Sequence, residues 1–377
     1  MGHARLSDPP GAYAEGVVRG DGRYALVGSE FGPDGTFLVD LDDPTTPRER
    51  HRLPAAGQME SADVAFDPRD GLYYRSLERE AGGIDVVDYG WGDATPAEPA
   101  VLATMEAGHT HNLHVHPAVP VVYAVNNDGD SPGIEVWDVA DPAAPRRVGD
   151  AGPAGAAHDV VVDARRDFLH VAYIGGQLDG YVLLDIGDPR APTEVGRFDY
   201  AGRPDYDDVP LGTAAFENCH YATVDPVRDL AIVGDETVSG APGGKHVFDI
   251  GWNAGSPANP VPIGYTLSPN AQVMTAADPP YLWTGHNFDV VPRDDDTLLV
   301  SGDYGDGVVL YDLTDPTAPA PVDRFATVLE AGQARGPERF HGPPRVWSAD
   351  YAAGPDLVVA VDVFTGLYVF RVEPRLA

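Results

Sequence analysis

One six-residue pattern recurs along the whole chain and constrains its fold more than any other feature. Each copy begins with Gly and continues through four mostly apolar or β-forming residues, and six of the seven copies end on Asp. Asp-Pro follows several copies, and an X-Pro pair ends a strand and opens a turn. The chain therefore reads as an array of short strands. The copies end at Asp40, Asp88, Asp138, Asp185, Asp249, Asp312 and Arg371, at spacings of 48, 50, 47, 64, 63 and 59 residues.

Each repeat predicts four strands. The third repeat shows them most plainly, at 112–116, 121–125, 134–139 and 146–148. Four antiparallel strands in about 40–50 residues, repeated in series, are typical of an all-β propeller. A solenoid would have shorter repeats and would need capping ends. We therefore predict a β-propeller of four-stranded antiparallel blades.

A histidine column supports a count of seven blades. His111, His158, His220 and His286 each open an apolar run at the same point of their repeats. In the other repeats this point lies near Ala14, Ala62 and Trp347. The distance from the column to the end of the six-residue pattern is nearly constant, at 26, 26, 27, 27, 29, 26 and 24 residues in chain order.

The two ends of the chain are expected to close the ring together. The last repeat has little chain after Val372, whereas a spare segment precedes Tyr13. We predict that residues around Ala4 to Ser7 complete the last blade, which would remove exposed sheet edges. Residues 1–377 would then form one propeller domain. The predicted blades are 13–54, 58–106, 107–150, 154–200, 214–268, 280–327, and 345–377 with 1–10.

Composition limits the partners and the location of the chain. The net charge is −34, and Lys245 is the only lysine among the 25 basic residues. A scattered acidic surface is typical of proteins that work in concentrated salt, and it argues against nucleic acid and anionic membranes as partners. The single cysteine, Cys219, excludes an internal disulfide. Without a signal-like or membrane-spanning apolar run, we expect a cytoplasmic protein in a high-salt cytosol.

The repeat resembles a known family. The sequence Leu-Val-x-Val-Asp-x-x-Asp-Pro-x-x-Pro, most evident at 35–47, 133–145, 180–192 and 307–319, resembles the LVIVD-repeat propellers. The resemblance covers nearly the whole chain and implies the propeller fold. That family has no single agreed chemistry, so the resemblance implies no reaction.

The histidine column predicts a metal centre. The first residue of each inner strand lies near one mouth of the central channel, so one column becomes one ring in space. Imidazole is the commonest metal ligand near neutral pH, and four of them suit iron, copper or zinc. The alternative is that each histidine only forms hydrogen bonds at a strand start. The predicted ligands are His111, His158, His220 and His286.

Such a site is similar in geometry to two histidine-rich propeller families. In the carotenoid cleavage oxygenases, ferrous iron is held by histidines from separate blades, and the selenium-binding/methanethiol oxidase family is a second case. This likeness implies Fe(II) first, with Cu or Zn as alternatives, and oxidative chemistry. It extends to the geometry of the site only.

Further residues are candidates for work around the metal. Metal-bound imidazole usually donates its second N–H to a carboxylate or a carbonyl group, and Glu217 and Glu60 lie where they could accept it. An ordinary solvated carboxylate is an equally good interpretation of both. Two inserts, 199–213 and 328–344, precede inner strands and are expected over the same mouth. The candidates for the substrate pocket are His109, Trp347, Tyr221 and His341.

Two functions follow from these observations. The first is a metal-dependent enzyme, an oxidoreductase or oxygenase, acting on a small or apolar molecule. The second is a non-catalytic propeller that binds a protein partner and uses its histidines for structure. The histidines in register favour the enzyme, whereas the lack of an acid–base or cofactor motif favours the scaffold.

Overall fold

The computed structural model describes residues 1–7, 12–31, 35–55, 62–78, 82–108, 110–126, 132–175, 178–201, 216, 218–237, 242–273, 283–293, 296–327 and 344–373. These residues form seven four-stranded antiparallel sheets, which confirms the predicted seven-bladed β-propeller. Their only helical element is a short 3-10 turn at Ala271–Val273. No helix in the described part of the chain is long and apolar enough to span a membrane.

Blades 1 to 4 each use four consecutive strands, and the first strand of each blade lies innermost. After β1 (Gly2–Ala4), which belongs to blade 7, blade 1 has β2 (Ala12–Val18), β3 (Tyr24–Phe31), β4 (Thr36–Asp40) and β5 (Arg48–Leu53). Blade 2 has β6 (Val64–Phe66), β7 (Leu72–Ser76), β8 (Ile84–Asp88) and β9 (Ala100–Met105). Blade 3 has β10 (Leu113–Val115), β11 (Val121–Val125), β12 (Pro132–Asp138) and β13 (Arg146–Ala154). Blade 4 has β14 (Ala157–Asp163), β15 (Phe168–Tyr173), β16 (Gly180–Asp185) and β17 (Thr193–Phe198).

Blades 5 and 6 repeat this order, and blade 7 combines the two ends of the chain. Blade 5 has β18 (Cys219–Val224), β19 (Leu230–Asp235), β20 (Lys245–Asp249) and β21 (Val261–Thr266). Blade 6 has β22 (Gly285–Pro292), β23 (Thr297–Asp303), β24 (Gly307–Asp312) and β25 (Ala320–Phe325). Blade 7 has β26 (Val346–Ala352), β27 (Leu357–Asp362) and β28 (Gly366–Phe370), with β1 (Gly2–Ala4) as its outer strand.

The aspartate of the six-residue pattern has a local structural reason. In blades 1 to 6 it ends the third strand, and its Oδ1 accepts a hydrogen bond from the backbone N–H two residues later. This arrangement is an Asx turn, which ends the strand and reverses the chain. All six aspartates of the pattern make this bond at 2.8 or 2.9 Å: Asp40, Asp88, Asp138, Asp185, Asp249 and Asp312.

The N-terminal segment closes the ring as predicted, but its strand lies slightly earlier in the chain. β1 pairs with β28 from Gly2 opposite Val369 to Ala4 opposite Leu367. Leu6 is buried, and its carbonyl group accepts a hydrogen bond from the Arg52 guanidinium at 2.8 Å. These contacts hold residues 5–7 against the neighbouring blade, and β1 therefore lies on the N-terminal side of them, at Gly2–Ala4.

Apolar side chains pack between successive blades. One cluster joins β11 and β12 of blade 3 to β14, β15 and β16 of blade 4, and it includes Val136, Val160 and Tyr173. A second cluster joins blade 1 to blade 7 through Val27, Val361 and others. Because each blade buries both faces of its middle strands, the inner strands are fixed around one channel.

Candidate metal centre

The four histidines of the column lie side by side in a ring. Neighbouring ring centroids are 4.8 Å apart for His111 and His158, 4.2 Å for His158 and His220, and 4.3 Å for His220 and His286. Trp347 completes the arrangement, at 4.5 Å from His286 and 6.4 Å from His111. The five side chains, which we call the aromatic ring, therefore surround one point at the start of the inner strands.

The two remaining blades contribute small residues to the same level. Ala14 and Ala62 stand at the column position of blades 1 and 2, and both are buried in one apolar cluster with Trp347. The Trp347 indole thus occupies space that a histidine in either blade would need. This size complementarity explains why the imidazoles are confined to four consecutive blades.

A β-bulge accompanies the histidine in three blades. The pairing of first and second strands skips a residue between Ala157 and Asp159 and between Cys219 and Tyr221, and two residues between Gly285 and Phe288. The skipped residues include His158, His220 and His286. A bulge bends the strand and changes the direction of the extra side chain, which is why bulges are common beside functional sites. Here it lets an imidazole join the ring without breaking the blade.

Backbone carbonyl groups fix the tautomers of two imidazoles. His286 donates from Nδ1 to the carbonyl oxygen of Trp347 at 2.6 Å, and His158 donates from Nδ1 to that of His220 at 3.2 Å. Since a carbonyl oxygen only accepts, Nδ1 carries the proton and Nε2 keeps its lone pair in both rings. A free lone pair on Nε2 is what a metal ion requires.

Burial and neighbouring groups favour the neutral form of three imidazoles, those of His158, His220 and His286. Burial lowers the pKa of His220 to about 3, and His111 adds to this effect. Burial, followed by repulsion from neighbouring histidines, holds the pKa values of His158 and His286 well below the usual value. Neutral imidazole is the form that binds metal ions.

Glu236 supplies a carboxylate to two of the histidines. Its Oε2 lies 3.6 Å from Nε2 of His220 and its Oε1 lies 3.7 Å from Nε2 of His286. Within the described ranges, these three residues are the only group of histidine, cysteine or acidic side chains whose ligand atoms all lie within 4.8 Å of one another. Ligands about 2.1 Å from one metal ion lie about 3.0–3.4 Å apart, so a small closure would let this group bind one.

One buried nitrogen of this group, Nδ1 of His220, lacks a hydrogen-bond partner among the described residues. His220 is 2 % exposed. An unsatisfied buried polar atom costs free energy, on the order of 1–3 kcal/mol. An ion bound at Nε2 would leave Nδ1 unsatisfied, so the donor set alone is the observation that supports a bound ion.

His111 has a carboxylate of its own. Its Nδ1 donates to Oε2 of Glu78 at 2.6 Å. Burial disfavours the charged ring, but Glu78, with smaller contributions from Glu30 and Asp63, raises the pKa of His111 to about 9. His111 is therefore an imidazolium paired with Glu78, unlike the three neutral histidines beside it.

The glutamates of the site form a second column that we did not predict. Glu30, Glu78 and Glu236 occupy one position in blades 1, 2 and 5, at or just after the end of the second strand, where the hairpin returns to the mouth. In each of these blades, the residue three positions before the glutamate pairs with the residue two positions after the column residue. These pairs are Val27 with Gly16, Arg75 with Val64, and Val233 with Ala222. The signal was present in the sequence, because each glutamate follows its column residue by 16 positions.

Several predicted site residues lie outside the described residues. These are Glu60, Glu217, His109 and His341, and the two predicted inserts fall there almost entirely. Of the other pocket candidates, Trp347 is part of the aromatic ring. Tyr221 lies one residue beyond His220, and its ring is 5.0 Å from that of Phe288. Cys219 is fully buried, as expected for a structural residue rather than a nucleophile.

A cavity of about 560 Å³ occupies the channel beyond the aromatic ring. Its inner end is lined by residues that directly follow the column: Glu15, Asp63, Asp159, Tyr221 and Asn287. Its outer end reaches the exposed residues Asp21 and Asp70 at the opposite mouth. The aromatic ring and this cavity therefore lie back to back on one axis.

Comparisons with known proteins report the fold. No protein-family model and no curated protein sequence matches the chain. Among solved structures, it is similar to hydrazine synthase from Kuenenia stuttgartiensis (TM-score 0.64, 13 % identity, 97 % of each chain covered) and to U3-55K (TM-score 0.65, 11 % identity, 97 % of each). A functionally unknown protein from Desulfotomaculum acetoxidans is also similar (TM-score 0.58, 11 % identity, 83 % of this chain and 84 % of that one). At such identities the likeness shows the fold alone.

Proposed function

We propose that this chain is a metal-dependent oxidoreductase whose metal ion is bound by His220, His286 and Glu236. The observation that carries the proposal is that both Nε2 atoms lie 3.6–3.7 Å from one largely buried carboxylate. Two histidines and one carboxylate are the ligand set of non-haem Fe(II) oxygenases, and they leave coordination positions open. Fe(II) is therefore the first choice of metal. Cu and Zn follow, since zinc hydrolases also use two histidines and a glutamate.

The other two histidines take different roles in this proposal. His158, whose Nε2 lone pair is free and whose ring lies 4.2 Å from His220, is the fourth ligand. His111 is held by Glu78 at the edge of the set, where it contributes a hydrogen-bonding cation. A bound Fe(II) ion would supply one-electron redox chemistry and a position for O₂. The substrate would be a small molecule.

The test is metal binding by matched variants. Protein without a histidine tag is stripped of metal in high salt and titrated anaerobically with Fe(II), then separately with Cu and Zn. Bound metal is counted by mass spectrometry. Glu236→Gln keeps the size of the side chain, and His220→Ala removes an imidazole. The control is His170→Asn, which changes a buried histidine of blade 4 that bonds Tyr181 at 2.6 Å.

The proposal expects a rank order of affinities. Wild type and His170→Asn should bind one ion per chain. Glu236→Gln and His220→Ala should bind it more than about a hundredfold more weakly, His158→Ala about 10–100-fold, and Glu78→Gln less than tenfold. Oxygen uptake by the iron form would support the redox assignment. Absence of binding, or equal binding by Glu236→Gln and wild type, would overturn the site and favour a protein-binding scaffold.

We also propose that the protein is an LVIVD-repeat propeller of a high-salt cytosol. The repeat pattern supports the family, and the net charge of −34 supports the environment. Salt screens the repulsion between surface carboxylates. We therefore expect the unfolding temperature to rise steadily from about 0.1 M to several molar potassium chloride. A temperature that does not change over this range would contradict the assignment.

A further inference from the structure

The inner end of the channel cavity is lined by three carboxyl groups. Glu15, Asp63 and Asp159 are each less than 10 % exposed, and all three line the cavity. Among the described residues that line it, the only lysine or arginine is Arg19, at the outer end, and that guanidinium already pairs with Asp21 and Asp70. The other basic residue of the described lining, His114, is neutral because burial lowers its pKa to about 4. The three carboxyl groups therefore face the cavity without a charged basic partner among the described lining residues.

The protein holds these carboxyl groups in place through backbone donors. Asp63 accepts from the N–H groups of Val64 at 2.7 Å and Leu113 at 2.6 Å. Asp159 accepts from the N–H of Val160 at 2.6 Å. Burial, with repulsion from Asp63 and Asp159, raises the pKa of Glu15 well above its usual value. Rigidly held carboxyl groups in such surroundings would be stabilised by a cation.

A second observation points to a ligand that donates hydrogen bonds. Asn287 is 5 % exposed, lines the same cavity, and donates from Nδ2 to Oε2 of Glu15 at 2.6 Å. This bond uses an N–H of the amide and directs the amide nitrogen of Asn287 towards Glu15. Oδ1 of Asn287 is then left buried with no hydrogen-bond partner in the described part of the chain. This oxygen therefore lacks a hydrogen-bond donor at the same end of the cavity where the carboxyl groups lack a cation.

We propose that the channel cavity binds a small organic ammonium ion, with its N–H donors on Glu15, Asp159 and Asn287. A bare divalent ion fits less well, because the three carboxyl groups do not form a group with ligand atoms within 4.8 Å of one another. The side walls also include Val17, Leu113 and Val161, which would pack against a short alkyl chain. The volume, about 560 Å³, lies in the range of small-molecule sites.

This site does not depend on the metal centre, and its test separates the two. Metal-free protein is titrated calorimetrically with butylammonium chloride at constant sodium chloride, and in parallel with 1-butanol and with calcium chloride. The variants are Glu15→Gln and Asp159→Asn, which keep side-chain size and remove a buried charge. Asp70→Asn, at the outer end of the same cavity, is the matched control. His220→Ala removes the proposed metal ligand.

Butylammonium should bind wild type, Asp70→Asn and His220→Ala with the same affinity and a ratio of one to one. Glu15→Gln and Asp159→Asn should bind it about 10–100-fold more weakly, since each loses a charged hydrogen bond. 1-Butanol should not bind detectably. Absence of butylammonium binding, equal binding of 1-butanol, or tighter binding of calcium to these carboxylates would each overturn the proposal. Loss of binding in His220→Ala alone would place the amine on the metal centre instead.

Discussion

The only lysine of the chain is buried in an ion pair that joins two blades behind the aromatic ring. Lys245 begins β20 in blade 5, and its Nζ lies 2.6 Å from Oδ1 of Asp303, at the end of β23 in blade 6. The two side chains are 1 % and 0 % exposed. The next residue, Tyr304, stacks on His286 with ring centroids 4.9 Å apart. We therefore predict that Lys245→Met destabilises the fold and loosens this part of the ring.

The size of the loss follows from what Asp303 retains. Removing one partner of a buried pair costs about 3–5 kcal/mol, because the other charge stays buried without compensation. Asp303 still accepts from Tyr311 at 2.6 Å and from Ser301 at 3.1 Å. Methionine keeps the apolar contact that the lysine stem makes. Together these contacts favour a loss of stability at the lower end of this range, about 3 kcal/mol.

A double-mutant cycle measures this value. Asp303→Asn removes the charge, keeps one oxygen that accepts from the Tyr311 hydroxyl, and presents an amide N–H that the Ser301 hydroxyl accepts. The double variant Lys245→Met/Asp303→Asn should therefore recover to within about 1 kcal/mol of wild type. Each single variant should lose about 3 kcal/mol by urea unfolding at fixed salt, with unchanged slopes. If the double variant loses as much as the sum of the two single variants, the pair is not coupled and the reasoning is wrong.

Two further predictions concern the channel and the closure of the ring. Burial raises the pKa of Asp63 to about 7, above the unfolded value of about 3.9, so the folded state holds an extra proton between these values. Wild type should therefore lose up to about 4 kcal/mol of stability as the pH rises from about 4 to about 7, and Asp63→Asn should lose less in the same unfolding experiment. Removal of residues 1–7 exposes the edge of β28 and the packing site of Leu6. This deletion should lower the free energy of unfolding by about 4–6 kcal/mol, and it should promote aggregation, which is measured by light scattering. A deletion variant as stable as wild type would refute the role of β1.

The fold could be predicted because its information is periodic. The six-residue pattern repeats once per blade, and in the six copies that end on aspartate this residue forms the same Asx turn, from Asp40 to Asp312. A column in such an array must become a ring, since equivalent strand starts lie at one mouth. That argument predicts that the histidines and Trp347 lie together, and the distances from His158 to His220 and from His286 to Trp347 agree with it.

The carboxylate of the site was missed for a different reason. The predicted carboxylates, Glu60 and Glu217, lie two or three residues before the column residue of their blades, whereas a β-hairpin returns the chain to the same mouth after its turn. The residue 16 positions after the column is Glu in blades 1, 2 and 5, so Glu236 belongs to a column as regular as the histidines. In blade 6 the hairpin is longer and brings Tyr304 to this level instead. Hairpin length therefore decides which residue faces the ring.

The acidic cavity could not be predicted from strand alternation. In a regular strand, neighbouring residues point to opposite faces, which assigns Asp159 to the blade interior if His158 faces the channel. The bulge between Ala157 and Asp159 breaks this alternation, so His158 joins the aromatic ring while Asp159 lines the cavity beyond it. The skipped residues in blade 6 do the same for His286 and Asn287. The same irregularity, repeated in these blades, thus creates two chemically different levels on a single axis. One level holds neutral imidazoles, and the other holds carboxyl groups without a charged basic partner among the described residues of the cavity wall.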